Sequence, residues 1–510
     1  MAEFLAKGFL EGFRIPVLEV PTPSEVYKNL KSASQHEEAL KQKLEKELKA
    51  GRMAGPFEEV PIKDLVVSPL GIVPKKEPGK FRMIQHLSYP EGASVNDALD
   101  KEQCSVQYQS FEKALEIVKM QGEGALMAKV DIESAFRLLP LHPDSFKLTG
   151  CYFQGVFYVD MCLPMGCGIS CSFFEAFSTF LHWLLYKRSG SSAIAHYLDD
   201  FLIVGPRYGD NCQKTLVIFL QLLKDLGVPV AEEKTVLPTT ILTFLGIEID
   251  SEARVCRLPK DKVDRTTQAV KRTITAGKVT LKDMQKLLGL LNFACRVIPM
   301  GRIFNRRLEK SMAGIKKSFH KIRITKELRE DLKVWDKFLT NFNGIRIWIE
   351  EARLSQELQF LTDASGSIGF GAYFGGKWSA GRWPRSWQVK GLTRNLTLLE
   401  LFPILVALEL WAEGLANKAI RFLSDNMGVV HAVNNLSSDS PPVIRLLRQL
   451  VLICLKFNIS FKAQHVPGVE NTLADALSRE KWELFFKLAP KAEKTAHVCP
   501  GHLWQLVNPY

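Results

Sequence analysis

The sequence predicts a multidomain chain of α+β and α/β class, and three observations predict it. Its 510 residues are 46% hydrophobic and 24% charged, enough apolar content to bury the cores of two to four domains. In the first half, short apolar runs end in acids or turn residues and alternate with helical stretches. In the second, helices dominate over 259–343, and from Leu358 the pattern returns to strand, helix, strand, helix.

Each element follows from its own residues. Residues 1–30 are interrupted by prolines and read as extended. "SQHEEALKQKLEKELKAG" carries acid–base pairs four apart and stops at Gly51, which predicts a helix from Ser34 to Ala50. "SPLGIVPKKEPGKFRMIQHLS" reads as two strands around a turn at Pro78 and Gly79, and "ALMAKVD" as a buried strand ending in Asp131. Residues 172–186 predict a buried helix rich in Phe and Leu. "AHYLDDFLIVG" places Asp199 and Asp200 in a tight turn between two apolar strands. A helix over 212–226 and two short strands in "KTVLPTTILTFLGIEID" follow. Thr280 with Asp283 reads as a helix N-cap with an acid in the first turn. Further on, "FLTDASGSIGFGAYF" is a strand carrying Asp363, a glycine-rich turn and a second strand. "LTLLELFPILVALELWAEGL" is a helix with Glu400 in its first turn, "IRFLSDN" a strand ending in Asp425, and "HVPGVENTLADALSR" a loop and closing helix with Asp475.

Composition narrows the partners. The net charge of +12 suggests a polyanion. The ten cysteines form no regular framework; Cys162, Cys167 and Cys171 cluster without zinc-site spacing and read as reduced core thiols of a cytosolic or nuclear protein. No apolar run reaches transmembrane length, and "MAEFLAKGFLEGF" makes a poor signal peptide, so neither a membrane partner nor secretion is expected.

The acids carry the chemistry. Asp-Asp alone is ordinary turn chemistry. Crowded carboxylates, however, repel unless a divalent cation neutralises them, and Asp131 supplies a third acid at another strand end. Two cations shared by Asp131 and Asp199 would activate an attacking oxygen and stabilise a leaving one in phosphoryl transfer.

At this point residues 52–250 resemble a reverse transcriptase, with the motifs in family order: "KVDIESAF", the template- and nucleotide-facing "LPMGCGIS", "YLDD", the lysine motif "AEEKT" and the primer-grip-like "FLGIEI". The resemblance implies a right-hand polymerase of fingers, palm and thumb. It implies Asp131 and Asp199, with Asp200 beside them, as ligands of two Mg²⁺ ions, Mn²⁺ being the alternative. Lys75 and Arg82 match the basic pair that holds the incoming deoxynucleoside triphosphate, and Met165 and Gly166 lie in the loop facing it. Met165 stands where retroviral relatives often carry glutamine. Phe136 matches the bulky residue that excludes a 2′-hydroxyl, and Lys234 the lysine that protonates the leaving pyrophosphate.

The order Asp363, Glu400, Asp425, Asp475 on strand, helix, strand, helix looks like ribonuclease H, a mixed-sheet fold that gathers four carboxylates around two Mg²⁺ ions to hydrolyse RNA in a hybrid. Val469 stands where many relatives carry histidine, with His465 four residues earlier, which suggests slower product release. Between the halves, Arg302, Arg306, Arg307, Lys310, Lys316, Lys317 and Lys321 face a single acid, Glu309, and read as a track for duplex phosphates.

The resemblance covers about residues 15–482 and divides the chain into an extension and helix (1–51), fingers and palm (52–250), a helical thumb with a short basic connection (251–355), a ribonuclease H-like domain (356–482) and a tail or docking segment (483–510). "AGRMAGPFEEVP", "SPLGIVPKKEPGKFRMIQHLSYPEGASVND" and "HVPGVENTLADALSR" are similar to DIRS-like retrotransposons, with gypsy-like elements the near alternative. Such an enzyme would take an RNA template, a DNA primer and the RNA–DNA hybrid, with a recombinase supplied by another chain. The rival expectations are an RNA-dependent RNA polymerase, disfavoured by Phe136 and the nuclease half, and a decayed element product that binds nucleic acid without catalysis.

Overall fold

The computed structural model describes residues 1–23, 25–75, 79–341, 346–347, 353–466 and 471–507. The chain folds as two compact units, Met1–Arg254 and Val255–Tyr510.

The first unit is organised by an antiparallel sheet with strands in the order Ile194–Tyr197, Asp200–Gly205, Leu126–Asp131 and Val236–Thr239. Side chains alternate along each strand, so Ala128, Val130, Phe201 and Ile203 enter the main core with Phe174, Phe177, Leu216 and Phe219 from the helices Ser170–Ser189 and Asn211–Asp225. The same alternation puts Lys129, Asp131 and Asp200 on the opposite face. Asp131 pairs directly with Asp200 across the two strands. A slip of one residue would drive these charges into the core, so the apolar pattern fixes where the acids stand.

Three expectations are corrected in this unit. Residues 2–11 are helical, not extended: the rings of Phe4 and Phe9 pack edge-on against Phe173 and Phe177, and Gly12, at φ +94°, ends the helix where a Cβ would lie 2.4 Å from the His142 backbone nitrogen. The helix expected over Ser34–Ala50 is two pieces, Lys31–Gln35 and Glu37–Lys49, broken at His36. The first piece is held to the strand Leu70–Pro74, whose Ile72 N–H donates to Ser32 Oγ at 3.1 Å. The second points Leu40 and Leu44 into a separate core. Three strands, rather than two, fill 236–250, because Leu245 and Gly246 turn Ile241–Phe244 back onto Ile247–Asp250. The turn between Leu70–Pro74 and Phe81–Gln85 includes Pro78, which lies outside the described residues.

The second unit begins with the helices Lys260–Ala276, Leu281–Ala294, Arg302–Met312 and Lys326–Asn341. Thr280 caps the second of these as expected, its Oγ1 accepting the Asp283 N–H at 3.2 Å. Two three-stranded sheets, one antiparallel and one parallel, follow among the described residues. Phe360–Ala364, Gly369–Phe374 and Lys377–Arg382 run antiparallel. Arg353–Leu354, Ala419–Ser424 and Ser460–His465 run parallel. Phe360 and Phe422, with ring centroids 5.5 Å apart, join the two. The closing segment is docked, not a tail. Phe485 of Trp482–Leu488 is buried beside Trp378, and Trp504 of Gly501–Val507 packs 4.5 Å from the Phe402 ring.

One buried charge pair ties helices within this unit. Asp331, fully buried, takes Arg448 from the helix Pro441–Lys456 and Arg307 at 3.5 Å, while the Arg448 guanidinium lies 4.7 Å over the Phe304 ring. Removing one partner strands the other in a dry site. Asp331→Ala is therefore expected to cost ~3–5 kcal/mol of unfolding free energy in a denaturant titration, with Arg448→Met on the same background recovering much of it. A loss under ~1 kcal/mol would show the pair is replaceable by water.

Candidate active site

The strand Leu126–Asp131 and the turn at Leu198–Asp199 bring three carboxylates together. Asp131 is buried and Asp199 and Asp200 are half-buried; the Ile132 N–H donates to the Asp199 carbonyl at 3.0 Å, fastening the turn to the neighbouring strand. Burial, with the Asp131 and Asp200 charges behind it, pushes Asp199 up to about 6. Asp131 is raised by burial and by Asp200 against the opposing pull of Lys234, whose Nζ donates to Asp131 Oδ1 at 2.8 Å. Burial works against the Lys234 charge, but the hydrogen bond and charge of Asp131 prevail and raise its pKa, so the ammonium keeps its proton.

Lys129, two residues before Asp131 on the same strand face, was not singled out from the sequence. Its Nζ lies 2.8 Å from Asp200 Oδ1, an oxygen with no hydrogen-bond partner among the described residues; the ammonium compensates charge from off the hydrogen-bond direction. A lone cation at that spacing in an apolar strand was a readable sign. Among the described residues no three His, Cys, Asp or Glu side chains form a ready-made metal shell. The donor set is nonetheless all hard carboxylate oxygen, only partly neutralised by two lysines, and that chemistry suits Mg²⁺.

The proposed substrate residues surround a loop. Arg82 is exposed on Phe81–Gln85, opposite Val73, and Lys75 is exposed just beyond the partner strand. At the far end of the Arg82 strand, the Gln85 N–H reaches the Met165 carbonyl at 3.4 Å. Gly166, at φ +119°, lies so close to the Gln85 carbonyl that a Cβ would be 2.4 Å from it. Asn96 brackets the same loop, donating to the Gly166 carbonyl at 2.8 Å and accepting the Gly168 N–H at 2.9 Å. Phe136 is half-buried, edge-on to Phe174 at 5.7 Å, and next to it Arg137 is buried on Asp160 at 2.7 Å. Asn96 and Arg137 carry no motif signal; their roles exist only in the folded loop.

In the second unit, Asp363, Glu400 and Asp425 line one cleft with Ser424, Val466 and Asn471. Burial, then the charges of Asp363 and Asp425, push Glu400 up to about 9, and burial likewise raises Asp363. Asn471 Oδ1, buried in this cleft, has no partner among the described residues, so an oxygen stands ready beside the acids for a cation or its water. Asp475 lies on its expected helix and near enough to influence Asp363, with its carboxylate ion-paired to Arg479 and, at 3.5 Å, to Lys481. Ser478, not anticipated, donates its hydroxyl to Asp363 Oδ2. His465 is exposed opposite Ser424, and Val469 lies outside the described residues.

Of the basic segment, Arg302, Arg306, Lys310, Lys316, Lys317 and Lys321 are exposed. Arg307 is not available as expected: it is half-buried and held by Asp331 and by the Glu327 carbonyl at 3.5 Å.

Residues 73–249 match the family model described as reverse transcriptase (RNA-dependent DNA polymerase). The chain is 26% identical over 178 residues to the Pro-Pol polyprotein of feline foamy virus, covering 35% of this chain and 14% of that one. It is 32% identical over 184 residues to the Gag-Pol polyprotein of walleye dermal sarcoma virus, covering 36% of this chain and 10% of that one. The chain thus spans less than a fifth of the curated relatives it matches. Among solved structures, a foamy viral protease-reverse transcriptase in complex with double-stranded DNA superposes with TM-score 0.54 at 20% identity, over 89% of this chain and 74% of that one. The same kind of protein with an RNA/DNA hybrid gives 0.52 at 19%, over 90% and 57%. The fold is that of a multidomain α+β polymerase.

Proposed function

We propose that this chain is an RNA- and DNA-directed DNA polymerase with hybrid-specific ribonuclease H activity, the product of a retrotransposon. One observation carries the polymerase reading: Asp131 stands directly opposite Asp200, with Asp199 in the adjoining turn and Lys234 on Asp131. The reverse transcriptase family match over the same residues supports it. Bound divalent cations, Mg²⁺ or Mn²⁺, would supply charge neutralisation and activation of the attacking and leaving oxygens.

The chain's own residues do the rest. Asp131, Asp199 and Asp200 hold the cations. Lys75 and Arg82 bind the phosphates of a deoxynucleoside triphosphate, the guanidinium by its planar fork. Phe136 fills the space of a 2′-hydroxyl, and the loop at Met165 and Gly166 seats the base. Lys234, kept protonated by Asp131, is a proton donor for the leaving pyrophosphate. Asp363, Glu400 and Asp425 hold the nuclease cations, with Asp475 joining if its ion pair with Arg479 opens. The phrases shared with DIRS-like elements support that group, integration then falling to a recombinase on another chain. The ten free thiols fit a cytoplasmic or nuclear setting. Primer extension on an RNA template with Mg²⁺, reading DNA product and template loss together, tests the reading; tight duplex binding with neither activity would favour the decayed element.

The exposed lysines serve as the duplex track. Replacing Lys316, Lys317 and Lys321 by alanine is expected to weaken binding to all duplex sequences about equally. The slope of log affinity against log salt should fall by about 0.9 for each DNA phosphate that the variant no longer neutralises. An unchanged slope and affinity, measured by fluorescence anisotropy, would make the segment a solvated face.

A further inference from the structure

We propose that Glu175 is a positioning residue for the Asp199–Asp200 turn, which it holds through a buried hydrogen-bond chain; this rests on the polymerase reading above. Leu198, immediately before the two acids, has φ +51°, in the left-handed region that a bulky side chain rarely adopts. Something must hold it there, and the helix Ser170–Ser189 does so from both sides of the residue. The Leu198 N–H donates to Glu175 Oε2 at 3.0 Å, and the Leu198 carbonyl accepts from Ser178 Oγ at 2.8 Å.

Behind these two bonds lies a second layer. Glu175 Oε1 is 3.2 Å from His196 Nε2, with both side chains under a tenth exposed. His196 Nδ1 is 2.8 Å from His182 Nδ1, and the His196 N–H donates to Gln109 Oε1 at 3.0 Å. For an ionised Glu175 and a neutral His196, with one hydrogen between each pair, the chain closes in one way. His182 donates from Nδ1, His196 accepts there and donates from Nε2 to Glu175, and the carboxylate accepts from His196 and Leu198 alike. Burial holds His182 down to about 4, so it stays neutral as this arrangement requires.

Both oxygens of Glu175 are thus committed, Oε2 to the Leu198 N–H of the turn and Oε1 to the His196 ring. Asp199 and Asp200 follow Leu198 directly, so a tilt of the Leu198 peptide displaces both carboxylates. Displacement by about 1 Å is enough to cost ~100-fold in rate at a reaction centre.

The test compares Glu175→Leu, Glu175→Gln and Ser178→Ala in the full chain. Primer-extension rate is measured against Mg²⁺ concentration, with template–primer affinity measured separately. Glutamine keeps an acceptor for the Leu198 N–H, with its amide NH2 met by a His196 that accepts at Nε2 and donates from Nδ1 to His182, and should stay within ~3-fold of the unmodified rate. Leucine should lose ~100-fold in rate and need ~10-fold more Mg²⁺ for half-maximal rate, with template–primer affinity unchanged. Ser178→Ala, which leaves the carboxylate in place, should slow extension ~10-fold with the same rise in Mg²⁺ requirement. It carries the test if Glu175→Leu does not fold, because an unmodified rate and Mg²⁺ dependence in Ser178→Ala would overturn the proposal. So would a folded Glu175→Leu protein with unmodified behaviour, or a glutamine variant as impaired as leucine. No extension by the unmodified chain would overturn the polymerase reading and this proposal with it; the other outcomes bear on the positioning alone.

Discussion

Asp199→Asn is expected to abolish primer extension, by ~1,000-fold or more, while leaving the fold and duplex binding intact. Asparagine has nearly the shape of aspartate but cannot carry its charge, and removing a ligand of a two-metal site costs several kcal/mol of transition-state stabilisation. The fold should not suffer. Burial and the neighbouring Asp131 push Asp199 up to about 6, so at neutral pH the folded chain holds this carboxylate ionised against a penalty. Taking the charge away relieves repulsion, and the unfolding free energy of Asp199→Asn should equal or exceed that of the unmodified chain. Near-normal extension by folded Asp199→Asn protein would return the turn to ordinary backbone chemistry.

The second large effect is separability. Asp425→Asn or Glu400→Gln should stop degradation of the RNA strand, again by ~1,000-fold or more, and leave DNA synthesis near normal. The two carboxylate sets lie in different compact units, and a bound cation neutralises only charge within a few ångströms. Both activities can be followed on one labelled hybrid. Loss of synthesis along with cleavage, in a folded variant, would sink the separation. An unmodified chain that synthesises DNA but never cuts RNA across Mg²⁺ and Mn²⁺ concentrations would make the second unit a binding module.

A pH dependence goes with it. Glu400 is pushed up to about 9 by burial and by Asp363 and Asp425, so near neutral pH it is largely protonated until a cation binds. Binding must then expel the proton, and the Mg²⁺ needed for cleavage should fall as pH rises from 7 toward 9. A requirement independent of pH over that range would show that Glu400 is not a ligand.

Much of the first half could be read from residue order. The alternation in "ALMAKVD" and "FLIVG" fixes which face of each strand is apolar, and the face that remains must carry Lys129, Asp131 and Asp200. The Thr280 cap and the helices near 172–186 and 212–226 are local: each depends on residues within a turn or two of one another. The four acids of the second half could likewise be placed on strand, helix, strand and helix, since period and strand ends are visible in the chain.

Only tertiary structure decided the rest, because it depends on residues distant in sequence. Residues 2–11 became helical because Phe173 and Phe177 offered rings to pack against. Arg307, one cation among many in a basic run, is withdrawn by Asp331, and Asp475 is held by Arg479 and Lys481 instead of lining the cleft with the other acids. Glu175, unremarkable inside a Phe-rich helix, acquires its place from the Leu198 peptide 23 residues later. The physical reason is the same each time. Backbone periodicity is written locally, whereas the partner of a buried charge is set by which strands and helices meet, and that is decided by packing the whole core.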